Sequence, residues 1–251
     1  MRALILAAGK GTRISRYLSG KPKCTVDIGE ITLIENTIRQ LNSMGVSDIA
    51  LILGYNQHVI RDVLKEHDVK FYYNPFYDVT NSIASAWFAK DFINEDDDIM
   101  IMNGDVYVDD SLLEIVKGET LSPVLFCDNT RKEEADYKFY YEENKLIKYG
   151  KELEGDDISG EYIGIAKIGK EFINTFKSSL ENMINNQQHY LWWENALYEL
   201  SDKHNIYVRD IEGRFWAEVD YMEDYERILK FRNYNLKFYI STGKNSQLFK
   251  M

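Results

Sequence analysis

The 251 residues predict an α/β fold: a doubly wound, mixed but mostly parallel sheet carrying a small antiparallel β subdomain. Three observations carry that expectation. Short apolar runs alternate with amphipathic stretches of helical spacing through the first half of the chain. A loop of glycines and cations follows the first apolar run. Beyond Asp136 the pattern changes to short strands around turn residues.

Ala3 to Leu6 reads as a buried parallel strand, because a short, wholly apolar run ahead of a glycine loop fits a strand covered on both faces. Leu33 to Met44 has helical spacing and ends at Gly45, where a C-cap glycine belongs. Ile49–Leu53 reads as a second strand, a helix follows from about Gln57 to Glu66, and Lys70–Tyr73 reads as a third strand. Alternation of this kind argues for right-handed parallel crossovers, with ligands at the carboxyl ends of the strands. Asn74-Pro75 begins a turn, and Asn81 or Ser82 is placed to cap a helix. Ile99–Asn103 is an apolar strand ending in Gly104 and Asp105, then come a helix over Asp110–Lys117 and a strand over Pro123–Cys127. Tyr137–Glu142 and Lys145–Tyr149 read as paired strands around Glu143 and Asn144. Tyr162–Ile168 is a strand, Lys170–Met183 and Tyr190–Leu200 are helices, and Ile206–Asp210 is a late strand. In Arg214 to Asp224, alternation puts Trp216, Glu218 and Asp220 on one strand face, and a helix from Met222 to about Tyr234 closes the fold. The domain so defined covers residues 1–234, with a subdomain over about 128–200 and a tail, 235–251, to which no role is assigned.

The loop after the first strand packs Gly9 and Gly11 among Lys10, Arg13, Lys21 and Lys23. Glycines let backbone N–H groups approach a polyanion, and cations add charge-assisted hydrogen bonds to phosphate oxygens. A dinucleotide fingerprint needs a third small residue where this chain has Ile14. A Walker loop needs Ser or Thr after its Gly-Lys pair, but Gly20-Lys21 is followed by Pro22.

Thirty basic against forty-one acidic residues give a formal charge of −11, which opposes nonspecific nucleic-acid binding. A phosphorylated ligand must therefore be attracted locally. Cys24 and Cys127 are too few for a disulfide framework and suit a reducing compartment. No stretch has the length of a signal or membrane segment, so the expectation is a cytoplasmic protein without membrane insertion. The aromatic excess serves a core or a homodimer interface equally well.

Leu6 to Lys23, LAAGKGTRISRYLSGKPK, resembles the LAAGxGTR…KPK opening of the NTP-transferase superfamily, which makes sugar nucleotides and CDP-alcohols. Cys24, Thr25, Val26 and Asp27 after it are similar to the phosphocholine cytidylyltransferase branch. The resemblance covers roughly residues 1–230 and implies a Rossmann-like nucleotidyltransferase fold. It also implies that CMP passes from CTP to a small phosphorylated acceptor. The residues Leu6, Ala7, Ala8, Gly9, Lys10, Gly11, Thr12 and Arg13 would wrap the triphosphate, with Lys23 at the reacting phosphate. Asn81 and Ser82, and more weakly Gly54 and Tyr55, would meet the nucleoside. Gly104 would be a further nucleotide contact, and Asp105 beside it matches the family's metal aspartate. Trp-x-Glu-x-Asp at 216–220 is similar to the family's closing motif, which makes Asp220 a second ligand for Mg2+ and Glu218 an acceptor-side group. Tyr190, Trp193, Glu194 and Trp216 are the remaining acceptor candidates, an aromatic and carboxylate box for a cationic head group. The rival readings are a sugar-1-phosphate nucleotidylyltransferase using CTP, UTP or dTTP, and a noncatalytic nucleotide-binding regulatory protein.

Overall fold

A computed structural model of the chain describes residues 1–11, 13, 14 and 18–241, with side chains to residue 233. Strands β1 (Arg2–Ala7), β2 (Ile49–Leu53), β3 (Lys70–Tyr73) and β4 (Ile99–Asn103) pair in parallel in the order β3-β2-β1-β4. Helices α1 (Leu33–Ser43), α2 (Gln57–Val63) and α3 (Ser82–Phe88) make the crossovers. Thr32 and Glu35 form a reciprocal cap at the start of α1, satisfying N–H groups the first turn leaves free.

The chain continues through β5 (Val106–Val108), α4 (Asp110–Gly118), β6 (Val124–Asp128), β7 (Lys138–Glu142), β8 (Lys145–Gly150) and β9 (Gly160–Ile168). It ends with α5 (Ile173–Asn185), α6 (Asn195–Tyr198), β10 (Tyr207–Asp210), β11 (Trp216–Glu218) and α7 (Met222–Ser241). The main sheet has nine strands, β3-β2-β1-β4-β9-β6-β10-β8-β7, and β5 with β11 forms a separate two-stranded ribbon.

Alternation along the strands divides the core. In β1, Leu4 and Leu6 point into one apolar cluster with residues of α3, α5 and α6, while Ala3, Ile5 and Ala7 point into another with α1, α2 and α4. Both faces of the sheet are thus sealed at its central strands, and each fully buried Leu or Ile contributes about 1.5–3 kcal/mol. A third cluster, with Tyr107, Ala217, Val219 and Ile228, packs α7 beneath the ribbon.

Several expectations change. The sheet is mixed rather than mostly parallel in its ladders: four are parallel and five antiparallel, because β9 inserts between β4 and β6. The β7–β8 hairpin is hydrogen-bonded to β9 and β10, so the antiparallel part expected as a small subdomain continues the main sheet. The helix expected over Tyr190–Leu200 shrinks to one turn at Asn195–Tyr198, since residues 189–193 are held by the start of α3. The last helix crosses the expected boundary at 234 and runs to Ser241. Among the described residues no helix is long and apolar enough to cross a membrane.

Candidate active site

The carboxyl ends of β1 and β4 open onto a cleft of about 290 Å³ lined by Ala8, Gly9, Gly11, Lys23, Asp105 and Glu218, among others. Its floor is set by close backbone packing. Gly104 donates its N–H to the Leu6 carbonyl at 2.8 Å, and a Cβ on Gly104 would lie 2.9 Å from that oxygen. Gly11 has φ +60°, and a Cβ there would lie 2.5 Å from Lys23 Cγ, so the lysine stem crosses where any side chain would stand. A Cβ on Gly9 meets nothing within 4 Å; that space is open to a ligand.

Lys23 leaves a short 3-10 turn, Lys23–Thr25, closed by the Thr25 hydroxyl donating to the Pro22 carbonyl at 2.8 Å. Its ammonium donates to Asp105 Oδ2 at 3.0 Å and to Asp220 Oδ1, and Arg13 pairs with the other oxygen of Asp220. The β5–β11 ribbon brings these acids together. Glu218 is opposite Val106, and Val219 N–H donates to the Asp105 carbonyl at 2.9 Å. Asp224 then accepts from the N–H groups of Asp220 and Tyr221, fixing the turn into α7.

Carboxylate oxygens of Asp105, Glu218 and Asp220 lie within 4.8 Å of one another. Burial, with the charges of Asp105 and Asp220, pushes the Glu218 carboxyl well above the usual carboxylate range. Burial also acts against the Asp220 anion, but hydrogen bonds and charge from Lys23 and Arg13 outweigh it and hold this carboxyl below its ordinary value. Lys23 is itself held protonated by the two aspartates, against the opposing effect of burial. Three oxygen donors at this spacing are the set that a hard divalent cation takes. Their excess negative charge, partly met by Lys23, suits one.

The other expected residues divide by place. Leu6, Ala7, Ala8, Asn81, Ser82, Gly104 and Glu194 line the cleft. Asn81 caps α3, accepting from Ser82 N–H, and donates to the Tyr190 carbonyl; Ser82 Oγ accepts from Trp193 N–H at 3.0 Å. Lys10 lies over the Tyr77 ring. Gly54 packs beneath the loop, where a Cβ would meet the Ala8 carbonyl at 2.6 Å, and Tyr55 donates its N–H to that same oxygen. Both shape the loop from outside the cleft lining. Thr12 lies outside the described residues.

Three acceptor candidates need correction. Trp193 is wholly buried, donating Nε1–H to Asn103 Oδ1, because its ring fills the core between α3 and α5. Tyr190 is exposed and outside the cleft lining; the neighbouring Trp192 lines it instead. Trp216 does share a strand face with Glu218, but its Nε1–H donates to Asp128 and its ring lines a different pocket with Arg131 and Arg227.

Sequence reasoning missed Tyr77, Thr80, Ser85 and Asn103. The first three are brought to the cleft by Asn74, a fully buried residue that donates to Thr80 and Ser85 and accepts from Phe76 N–H. An asparagine ahead of Pro75 was the available signal, since Asn side chains organise turns.

A glycine-lined strand-to-loop cradle, one buried lysine and a convergent acidic trio at the carboxyl rim of a large mixed sheet define a nucleotidyltransferase. The chain belongs to the family described as the MobA-like NTP transferase domain, whose model matches residues 3–136. It is 31% identical to the CTP:phosphoglutamine cytidylyltransferase of Campylobacter jejuni, over 90% of this chain and 98% of that one. It is 27% identical to the choline-phosphate cytidylyltransferase of Streptococcus pneumoniae, over 93% and 100%. Among solved structures, CTP:phosphocholine cytidylyltransferase from S. pneumoniae superposes with a TM-score of 0.74 at 21% identity, covering 92% of this chain and 98% of that one. The inositol-1-phosphate CTP transferase from T. maritima also gives 0.74, at 18% identity, over 91% and 94%.

Proposed function

We propose that this chain is a cytidylyltransferase that transfers CMP from CTP to a small phosphorylated amine or phosphonate, releasing pyrophosphate. The observation that carries the reading is the meeting of Asp105, Glu218 and Asp220 around Lys23, beside the Gly9–Gly11 backbone. Residues 1–234 are assigned as the catalytic unit, with the acceptor side supplied by about 128–200.

An acceptor phosphate oxygen is ionised at neutral pH, so attack on the α-phosphorus needs no general base. Alignment and charge neutralisation remain for the protein to supply. Backbone N–H groups of the glycine loop hold the leaving pyrophosphate, and Arg13, which pairs with Asp220, adds charge there. Lys23 stabilises the crowded oxygens of the reacting phosphate. Asn81 and Ser82 face the nucleoside, with Tyr77 and Thr80 beside them. Asp105 and Asp220, with Glu218 adjacent, are assigned as the magnesium site. When bound, that ion neutralises phosphate charge and polarises the phosphoryl group.

Pyrophosphate release measured with each NTP against phosphocholine, 2-aminoethyl phosphate, 2-aminoethylphosphonate and a sugar 1-phosphate tests the assignment. CTP with a phospho-amine or phosphonate is expected to turn over fastest. Preference for UTP or dTTP with the sugar phosphate would replace it with a sugar-nucleotide synthase, and no turnover at all with a noncatalytic binder.

A further inference from the structure

Glu194 is 6% exposed, lines the cleft, and leaves Oε2 without a hydrogen-bond partner. Two more buried atoms share that condition, the hydroxyls of Tyr162 on β9 and Tyr198 on α6. Among the described residues, no other buried side-chain oxygen or nitrogen lacks a partner. All three belong to one neighbourhood. The charges of Glu194 and Glu218, two cleft-lining carboxyls, both act on Tyr162, and the rings of Tyr162 and Tyr198 both pack on Phe139, at 5.2 and 5.9 Å. The walls are aromatic: Tyr149 and Tyr137 stack on Tyr198 at 4.3 and 5.8 Å, Phe139 lies 5.2 Å from Tyr162, and Trp192 meets Tyr137 edge-on.

A buried polar atom without a partner is costly. Three such oxygens behind one cleft wall call for a group with several N–H donors. A primary ammonium has three donors and no acceptor, and it brings the positive charge that a buried carboxylate needs. A quaternary ammonium has the charge but no N–H, and its methyl groups would leave all three oxygens unpaired.

We infer that Glu194, Tyr162 and Tyr198 select an acceptor whose end remote from the phosphorus is a primary ammonium, and that they discriminate against a trimethylammonium head group. This inference rests on the cytidylyltransferase reading for the other end of the acceptor. Burial pushes the Glu194 carboxyl up to about 8, so at neutral pH it enters the encounter protonated and releases that proton to solvent as the ammonium seats.

The test compares 2-aminoethyl phosphate with its trimethyl counterpart, phosphocholine, by pyrophosphate release with CTP and by calorimetric binding to the full chain. A site built around a substrate N–H rejects analogues that lack it strongly. The primary amine should therefore exceed phosphocholine by at least about 100-fold in kcat/KM and bind more tightly. Glu194→Gln and the near-isosteric Tyr162→Phe should each cut that ratio at least about tenfold with the KM for CTP unchanged, a split that general unfolding would not give. Equal or better use of phosphocholine, or a ratio unmoved in both variants, overturns the inference. If CTP supports no turnover, the cytidylyl reading fails, and calorimetry alone decides here: tighter amine binding that weakens in Tyr162→Phe sustains the head-group site, and equal or absent binding overturns it.

Discussion

At Gly11 the left-handed backbone and the passing Lys23 stem impose the same requirement, absence of a side chain. Gly11→Ala meets a conformational cost of about 1–2 kcal/mol and also pushes Lys23 away from Asp105 and Asp220. Thermal melting should show a loss of that order, while pyrophosphate release should fall by more than about tenfold, since displaced catalytic charge costs more than backbone strain. Glu194 gives a different expectation, in pH. Its folded pKa of about 8 exceeds the ordinary value of about 4.3. The folded state keeps a proton that the unfolded chain has lost. Stability therefore declines as pH rises from about 4.3 to about 8, by at most about 1.4 kcal/mol per unit from this group, and levels off above. Glu218 contributes in the same direction. Glu194→Gln should remove one proton's share of the slope in melting temperature between pH 5 and pH 8. Parallel slopes for variant and parent would contradict a neutral buried Glu194.

Among the elements, the β5–β11 ribbon matters most to the site, and half of it was hard to read. β11 is visible as alternation between apolar residues 215, 217, 219 and the intervening 216, 218, 220. β5 is only three residues long and follows β4 after Gly104 and Asp105, too short for periodicity to register. The reverse error occurred at Tyr190–Leu200, where helical spacing was present but hydrogen bonds to the start of α3 took the backbone groups a helix would have used. The parallel strands β1 to β4 were legible because strands buried on both faces are uniformly apolar. The turn from β11 into α7 supplies a test at this scale. Asp224 reaches back to two N–H groups, as a helix cap does, so Asp224→Ala should cost about 0.5–2 kcal/mol in denaturant melts. Because the same bonds orient Asp220, kcat should drop further than that loss of stability explains.

Over the whole molecule, the site is a product of topology more than of local sequence. The glycine loop, the Gly104-Asp105 tip and the closing Glu218-x-Asp220 stretch were each readable from residue type and order. That they face one another was an expectation supplied by resemblance, and the acceptor wall was only partly foreseen. Trp193 and Trp216 were expected at the acceptor from the resemblance, as parts of an aromatic and carboxylate box, yet each is buried with its N–H satisfied by Asn103 or Asp128. Which aromatic residues face the cleft depends on how β9, α6 and the 189–193 segment pack, and spacing along the chain does not encode that. The central claim is that Asp105 and Asp220, more than a hundred positions apart, act as one catalytic centre. Pyrophosphate release from CTP by Asp105→Asn, Asp220→Asn and the double variant measures this directly. Each single change should lower turnover by about 100- to 1,000-fold with melting cooperativity retained, and the double variant should fall far short of the product of the two losses, as groups acting as a unit do. Near-normal turnover in either single variant, or losses that simply multiply, would contradict a shared centre.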